Sequence, residues 1–189
     1  MIKQGKVDKT YEQLCQDMRQ TVWRQYLHFS KDFDILPAKD YGTFFPEVFA
    51  NPTRFIQPQP DLREVLLALR KQGKCVFLGT NSHWEYMELI MSTTLGSDWR
   101  KCFDFVFCFC RKPAFFNTDN PMFLMDRSAP KFHGKQLDSF KDLEPDSGVT
   151  YLEGNRRYIE DYLKNKHGRE TIKIAFLGDQ YTTDVHWSN

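Results

Sequence analysis

Three short clusters of polar residues each follow an apolar run, and their side chains are of the kinds that hold phosphate groups and metal ions. The first cluster carries hydroxyls and a carboxamide, the second a lysine, and the third two carboxylates. They are Thr80-Asn81-Ser82 after residues 75–78, Arg111-Lys112-Pro113 after residues 103–109, and Gly178-Asp179 with Asp184 after residues 172–177. Together these groups have the chemistry of a metal-dependent phosphoryl-transfer site.

The first two clusters offer groups that bind a phosphate. Thr80 and Asn81, at the start of a predicted helix, supply a hydroxyl, a carboxamide and backbone N–H groups for phosphate oxygens. The simpler interpretation is that they cap this helix. Lys112 supplies a fixed ammonium that neutralises a transferring phosphoryl group, although most lysines lie on the solvated surface. Arg111 is interpreted as such a surface residue.

The third cluster offers a magnesium site. Gly178 allows a sharp turn, and the Asp179 carboxylate is an oxygen ligand of the kind that Mg²⁺ prefers. Asp184 would orient the groups around the metal through a hydrogen bond without binding the metal itself. The alternative is that these are turn residues, with an aspartate capping a helix.

The elements that position these clusters follow from the periodicity. Apolar runs at residues 75–78, 103–109 and 172–177 read as buried strands, and they alternate with helical patterns. Such strands predict a parallel sheet with helices on both faces, in which ligands bind beyond the carboxyl ends of the strands. Residues 61–189 are the predicted core, with a polar excursion at 117–150. Residues 1–60 are predicted to be part of a helical cap and a proline-rich connector.

Composition narrows the class of protein. The 189 residues are 41% hydrophobic and 27% charged, with a formal net charge of +1, so nucleic acid is not an expected partner. No apolar run approaches the roughly 20 residues that a membrane span needs. The N-terminus has no signal-peptide pattern. Five cysteines without zinc-type spacing indicate core residues in a reducing compartment, and hence a cytoplasmic protein.

The three clusters, in their order and strand context, resemble the second, third and fourth motifs of the haloacid-dehalogenase-like phosphohydrolases. More narrowly, nearly the whole chain resembles the cytosolic purine 5′-nucleotidase family and its 5′-nucleotidase domain-containing relatives. The segments that carry this resemblance are Gly79-Thr80-Asn81-Ser82, Asp98-Trp99-Arg100-Lys101 with Phe103-Asp104, Arg111-Lys112-Pro113 with Phe115-Phe116, Glu153-Gly154-Asn155 and Gly178-Asp179.

The resemblance implies an α/β fold of the haloacid-dehalogenase-like Rossmannoid type and magnesium-dependent dephosphorylation of nucleoside 5′-monophosphates. A family enzyme opens with a DxDxT motif, whose first Asp attacks phosphorus and whose second Asp acts as acid and base. In this chain Thr80 and Asn81 would hold the phosphate and Lys112 would neutralise it. Asp179 would complete the magnesium site, with Asp184 beside it.

The DxDxT motif has no counterpart in this sequence. The one D-x-D is Asp32-Phe33-Asp34, and Leu36 stands where the threonine would be. We interpret this segment as a surface loop. We therefore expect a chain that begins inside the family's cap region and lacks the central first strand. A gap or a distorted pairing should then separate the two neighbours of that strand, which end at Thr80 and Asp179.

Arg19 is a candidate substrate contact, because its helix resembles the family's nucleoside-reading helix. Four residues on, Trp23 stands where the purine enzyme carries an acidic residue, so the nucleobase is left open. The expected partners are a nucleoside monophosphate or another small phosphorylated substrate, and identical chains in a homo-oligomer. Neither nucleic acid nor membrane is expected.

The function that we predict is that of a 5′-nucleotidase-like phosphohydrolase. This chain itself is expected to be inactive because the nucleophile is absent. Two alternatives stand beside it. One is a non-catalytic binding or scaffold protein that keeps the fold, and the other is a truncated isoform with no independent role.

Overall fold

The computed structural model describes residues 9–26, 44–129 and 132–186, with the backbone only for residues 22–26. The chain divides into two compact units, Met1–Asn51 and Pro52–Asn189. Across the described ranges, no helix is both long and apolar enough to cross a membrane. The predicted division of the chain at residue 60 into cap and core stays a prediction.

The first unit contains two described helices, α1 (Tyr11–Tyr26) and α2 (Phe44–Ala50). Thr10 begins α1 with a reciprocal cap. The Gln13 N–H donates to the Thr10 hydroxyl, and the Thr10 N–H donates to the Gln13 side chain. The Asp32-Phe33-Asp34 segment lies outside the described residues.

The second unit begins with α3 (Pro52–Phe55) and α4 (Pro60–Lys71) and then alternates strands with helices. Its further elements are β1 (Phe77–Gly79), α5 (Trp84–Leu95), β2 (Phe105–Cys108), α6 (Ala114–Asn117), β3 (Met122–Met125), β4 (His133–Gln136), β5 (Thr150–Glu153) and α7 (Arg156–His167), with 3₁₀ turns at Trp99–Cys102 and Phe140–Asp142 and a π-helical turn at Tyr181–Val185.

The five strands form one open sheet in the order β1-β2-β5-β3-β4. β1, β2 and β5 run parallel, whereas β3 pairs antiparallel with both β5 and β4. The α/β class and the partial Rossmannoid architecture are confirmed, and the sheet is mixed because two further strands join its parallel part. The antiparallel strands lie in the predicted excursion. β3 and β4 are joined by a short hairpin, which only antiparallel neighbours allow.

β2 is continuously apolar because it is covered on both faces. Phe105 and Phe107 belong to the apolar cluster that includes Ile159 and Leu163 of α7. Val106 and Cys108 point to the opposite face and belong to a second cluster, which includes Met87 and Leu95 of α5. The period of two along a strand explains this division, so a run of four apolar residues fills two cores at once.

Two helix termini carry residues that suit their positions. α5 ends at Gly96, and α7 begins at Asn155, whose side-chain oxygen accepts from the Arg157 N–H at 3.0 Å. Gln59 is the N-cap of α4, and Asp61 lies in the first turn of this helix. There the acidic side chain is still favourable beside the helix dipole.

The predicted strand at residues 172–177 is not a strand. The segment is extended, but within the described part of the chain it joins no ladder and β1 pairs only with β2. The Phe176 ring packs 6.3 Å from the Phe77 ring and 5.0 Å from the Phe116 ring, beside a small apolar cavity of ≈ 40 Å³. An apolar run forms a strand only when a neighbouring backbone supplies hydrogen bonds. Within the described residues, β1 therefore has no ladder partner on the side opposite to β2.

Candidate functional site

The backbones of β1 and β2 stay paired beyond the last strand residues, and this pairing brings the first two clusters together. The Thr80 N–H donates to the Phe107 carbonyl at 3.1 Å, and the Cys110 N–H donates to the Thr80 carbonyl at 2.9 Å. The Thr80 hydroxyl accepts from the Ser82 N–H at 3.1 Å. Thr80 is thus placed at the carboxyl edge of the parallel strands, where its hydroxyl closes a local turn.

Asn81 holds the backbone of Lys112. Its side-chain oxygen accepts from the Lys112 N–H at 2.6 Å, and its side-chain nitrogen donates to the Lys112 carbonyl at 3.1 Å. The peptide bond between Lys112 and Pro113 is cis. Because the carboxamide uses its oxygen and one N–H on this backbone, Asn81 acts here by positioning Lys112. The predicted role of Asn81 toward phosphate stays a prediction.

The Lys112 ammonium is buried against an acidic and an aromatic group from the third cluster and the segment before it. Its Nζ lies 2.6 Å from Asp184 Oδ1, and the two side chains are only 10% and 6% exposed. The same Nζ lies 5.0 Å from the centre of the Phe176 ring. The interpretation of Lys112 as an ordinary solvated lysine is therefore wrong, since most of its side chain is out of water.

Asp184 is held by a full set of donors. Besides Lys112, the Gln180 N–H donates to Oδ2 at 3.2 Å and the Thr183 hydroxyl lies 3.4 Å from Oδ1. Burial alone would raise the pKa of Asp184. The hydrogen bonds from Lys112 and Gln180 and the charge of Lys112 outweigh it, so the pKa lies below its ordinary value of 3.8. Asp184 is therefore an anion paired with Lys112.

Gly178 makes this arrangement possible by close approach. A Cβ atom at residue 178 would lie 2.4 Å from the Asp184 Cβ and 2.6 Å from its Cγ. No side chain larger than hydrogen fits there without moving Asp184. The sequence predicted a glycine here because the chain turns sharply. In the structure, glycine is required because Asp184 lies too close for any larger side chain.

Asp179 is exposed at the start of the same turn, one residue after Gly178. Within the described ranges, no group of three or more His, Cys, Asp or Glu side chains is placed to hold a metal ion. One exposed carboxylate does not by itself form a metal site, and the predicted roles of Asp179 and Asp184 toward magnesium stay predictions.

Arg19 lies on α1 in the other compact unit, where it is exposed. Its contact with substrate stays a prediction.

Arg111 and Glu153 form a charged pair that the sequence interpretation missed. The Arg111 Nη2 lies 2.7 Å from Oε1 of Glu153, which is buried, and the guanidinium covers the Phe109 ring at 4.9 Å. His133 of β4 approaches the same oxygen at 3.2 Å. Arg111 is thus paired, contrary to the expectation of a simple surface residue. A polar residue directly after the apolar run of β5 was the available signal for Glu153.

The comparisons with known proteins agree with the motifs. The sequence profile of the 5′ nucleotidase family matches residues 3–189. Human "5′-nucleotidase domain-containing protein 1" is 29% identical over 155 residues, which are 78% of this chain and 32% of that protein. Its bovine counterpart is 28% identical over 155 residues, which are 78% of this chain and 33% of that protein.

Human "5′-nucleotidase domain-containing protein 2" is 31% identical over 144 residues, which are 76% of this chain and 26% of that protein. The chain thus spans only 26–33% of the length of these three relatives. The family profile nevertheless covers almost every residue, and it confirms the resemblance that the three clusters carry. The chain belongs to the 5′-nucleotidase family.

Proposed function

We propose that the carboxyl edge of β1 and β2 is the phosphate-binding part of a nucleoside 5′-monophosphate phosphohydrolase site. One observation carries the proposal. The Lys112 ammonium lies 2.6 Å from Asp184, while Asn81 holds the Lys112 backbone with two hydrogen bonds. Lys112 of the second cluster therefore contacts Asn81 of the first and Asp184 of the third, and these are residue types that phosphoryl transfer uses.

In this proposal each residue acts through charge or position. Lys112 neutralises the phosphate, because a partly desolvated ammonium interacts more strongly with an anion than one in water. Asp184 fixes the ammonium in place, and Asn81 fixes the backbone that carries it. Thr80 offers its hydroxyl to a phosphate oxygen. Asp179 would hold magnesium, which supplies further positive charge when bound.

We further propose that this polypeptide does not hydrolyse nucleotides by itself. The family reaction passes through a covalent phosphoaspartate, and the printed sequence contains no DxDxT from which it could form. Positive charge from Lys112 and magnesium stabilises a transferring phosphoryl group, but it does not replace the attacking carboxylate. Binding without turnover is the expected behaviour.

A non-catalytic binding protein is the second candidate, and the absence of DxDxT from the sequence favours it. Both candidates bind phosphate, and they differ in whether an attacking aspartate ever joins the site. Five free cysteines support a reducing, cytoplasmic location in either case. A homo-oligomer stays a prediction.

Binding and turnover can be measured on the same protein. We expect inorganic phosphate and inosine 5′-monophosphate to bind in calorimetric titrations, and Lys112→Gln to weaken both by at least about tenfold, because a charge-assisted contact is lost. Lys101→Gln is the matched control. Lys101 is 74% exposed on the 3₁₀ turn before β2, at the other end of that strand. Circular dichroism checks that both variants are folded.

Hydrolysis is assayed as phosphate release from inosine 5′-monophosphate with magnesium, and none is expected. Magnesium-dependent release that Asp179→Ala abolishes would show that the chain is a working enzyme. Equal affinities of the wild type and Lys112→Gln would remove the phosphate site from the proposal.

A further inference from the structure

We propose that Glu153 is a positioning residue for the phosphate site, and that it acts through Arg111 on the loop that carries Lys112. The inference rests on the proposed function, because it concerns the same lysine. Glu153 ends β5, which lies beside β2 on the side opposite to β1. The loop after β2 is therefore attached to both neighbouring strands, to Asn81 after β1 and to Glu153 at the end of β5.

The two attachments differ in kind. On the β1 side, Asn81 forms two hydrogen bonds with the Lys112 backbone. On the β5 side, Arg111 lies 2.7 Å from Glu153 Oε1, which accepts no well-aligned hydrogen bond from the described residues. The second attachment is therefore an ion pair. Glu153 is 8% exposed at its side chain, so water screens this pair weakly on the carboxylate side.

The backbone conformation supports a specific constraint on this loop. Phe109, Arg111 and Glu153 have φ angles of 53°, 54° and 59°, in the left-handed region that non-glycine residues rarely adopt. Such conformations persist where surrounding contacts over-determine them, and they gather at functional sites. Here two of the three residues are the partners of the ion pair, and the third lies under the Arg111 guanidinium.

His133 connects the same carboxylate to β4. Its Nε2 lies 3.2 Å from Glu153 Oε1, and its ring stacks on Phe123 of β3 with centres 4.4 Å apart. Glu153 is thus held from the hairpin side while it holds Arg111. Since Lys112 follows Arg111 directly, the position of Arg111 limits where the Lys112 backbone can lie.

A double-mutant cycle separates this role from a general electrostatic effect. Glu153→Gln removes one negative charge, which by itself favours anion binding in any background. If Glu153 acts through Arg111, Glu153→Gln weakens sulfate binding about tenfold in the wild type and does not weaken it in Arg111→Met. Sulfate is the probe because its charge is constant from pH 5 to 8. The same change in both backgrounds would overturn the inference.

A second readout needs no ligand. In ¹H–¹⁵N spectra of the full chain, Glu153→Gln should shift the Lys112 backbone amide and the Asn81 side-chain amide, while Glu64→Gln should not. Glu64 is exposed on α4, which packs against the 3₁₀ turn before β2, at the other end of that strand. If the wild type binds no sulfate, the proposed function fails while the spectra still test Glu153. Unshifted Lys112 and Asn81 signals would overturn the inference, even if Glu153→Gln lowers the unfolding temperature.

Discussion

At the scale of single residues, the site is organised around one buried ion pair. Lys112 and Asp184 come from segments 72 positions apart in the sequence, and both are almost fully removed from water. A buried pair of this kind adds little net stability compared with apolar residues, but removing one member leaves an uncompensated charge. The pair therefore makes the position of Lys112 sensitive to any change at Asp184.

Asp184→Asn should lower the free energy of unfolding at pH 7 by about 3 kcal/mol, because the buried Lys112 ammonium loses its counter-charge. Since the folded-state pKa of Asp184 lies below 3.8, its contribution is complete above about pH 4 and disappears as the pH falls through the lower folded value. Urea unfolding measures this free energy for the variant and the wild type. The difference between the two proteins should be large at pH 7 and smaller at pH 3.

Asp119→Asn is the matched control for this charge. Asp119 pairs with Arg157 at 2.7 Å, but both side chains are 67% exposed. Exposed pairs contribute between zero and roughly 1 kcal/mol, so little change is expected. Equal effects of the two substitutions at pH 7 would contradict the burial of the Lys112–Asp184 pair.

At the scale of elements, the side chains of the candidate site lie mainly on turns that follow strand-like segments, and not on the strands themselves. The loop after β2 carries Lys112, and the π-helical turn Tyr181–Val185 carries Asp184. The extended segment before that turn forms no ladder within the described residues, although Phe176 packs against β1. The geometry at Gly178 therefore sets how close Asp184 can come to the rest of the site.

Gly178→Ala should lower the free energy of unfolding by about 2 kcal/mol and weaken phosphate binding, because the new Cβ would lie 2.4 Å from the Asp184 Cβ. Gly79→Ala is the matched control at the end of β1. Its Cβ would meet only the Phe176 ring, at 3.5 Å, which is an ordinary contact. Chemical denaturation of both variants checks the difference. Comparable losses of unfolding free energy in the two variants would contradict the close approach of Asp184 as the reason for glycine at residue 178.

At the scale of the whole molecule, the described sheet has two open edges, formed by β1 and β4. β2 is paired on both sides, whereas β1 is paired only with β2 within the part of the chain that the structure describes. Thr80 directs its N–H and its carbonyl toward β2. Because successive residues of a strand alternate, Phe77 and Gly79 direct theirs to the open edge.

Amide hydrogen exchange should therefore differ between alternate residues of β1 and the residue that follows it. We expect the amides of Phe77 and Gly79 to exchange at least roughly tenfold faster than that of Thr80, which donates to the Phe107 carbonyl. Exchange followed by NMR at neutral pH measures each amide separately. Equal protection of all three would show that another segment pairs with the open edge.

The sequence by itself determined the class of fold and the family. Apolar runs that alternate with helical patterns, and polar residues directly after them, were enough for β1, β2 and the placement of Thr80 and Lys112. The antiparallel strands of the mixed sheet could not be predicted from the sequence, because β4 is polar and β3 is a run of four residues in a turn-rich segment. That residues 172–177 join no described strand could not be predicted either. An apolar run in the sequence indicates burial, but it does not indicate whether a neighbouring backbone is there to form hydrogen bonds.

Only the tertiary structure decided which charges meet. The pairing of Lys112 with Asp184, and of Arg111 with Glu153, depends on strand order and on loop geometry, which bring distant segments within 2.6 and 2.7 Å. No periodicity encodes such contacts, since each partner alone is an ordinary polar residue in a turn. Residue type sets what a side chain can do, whereas packing of the whole unit sets its partner and its exposure to water.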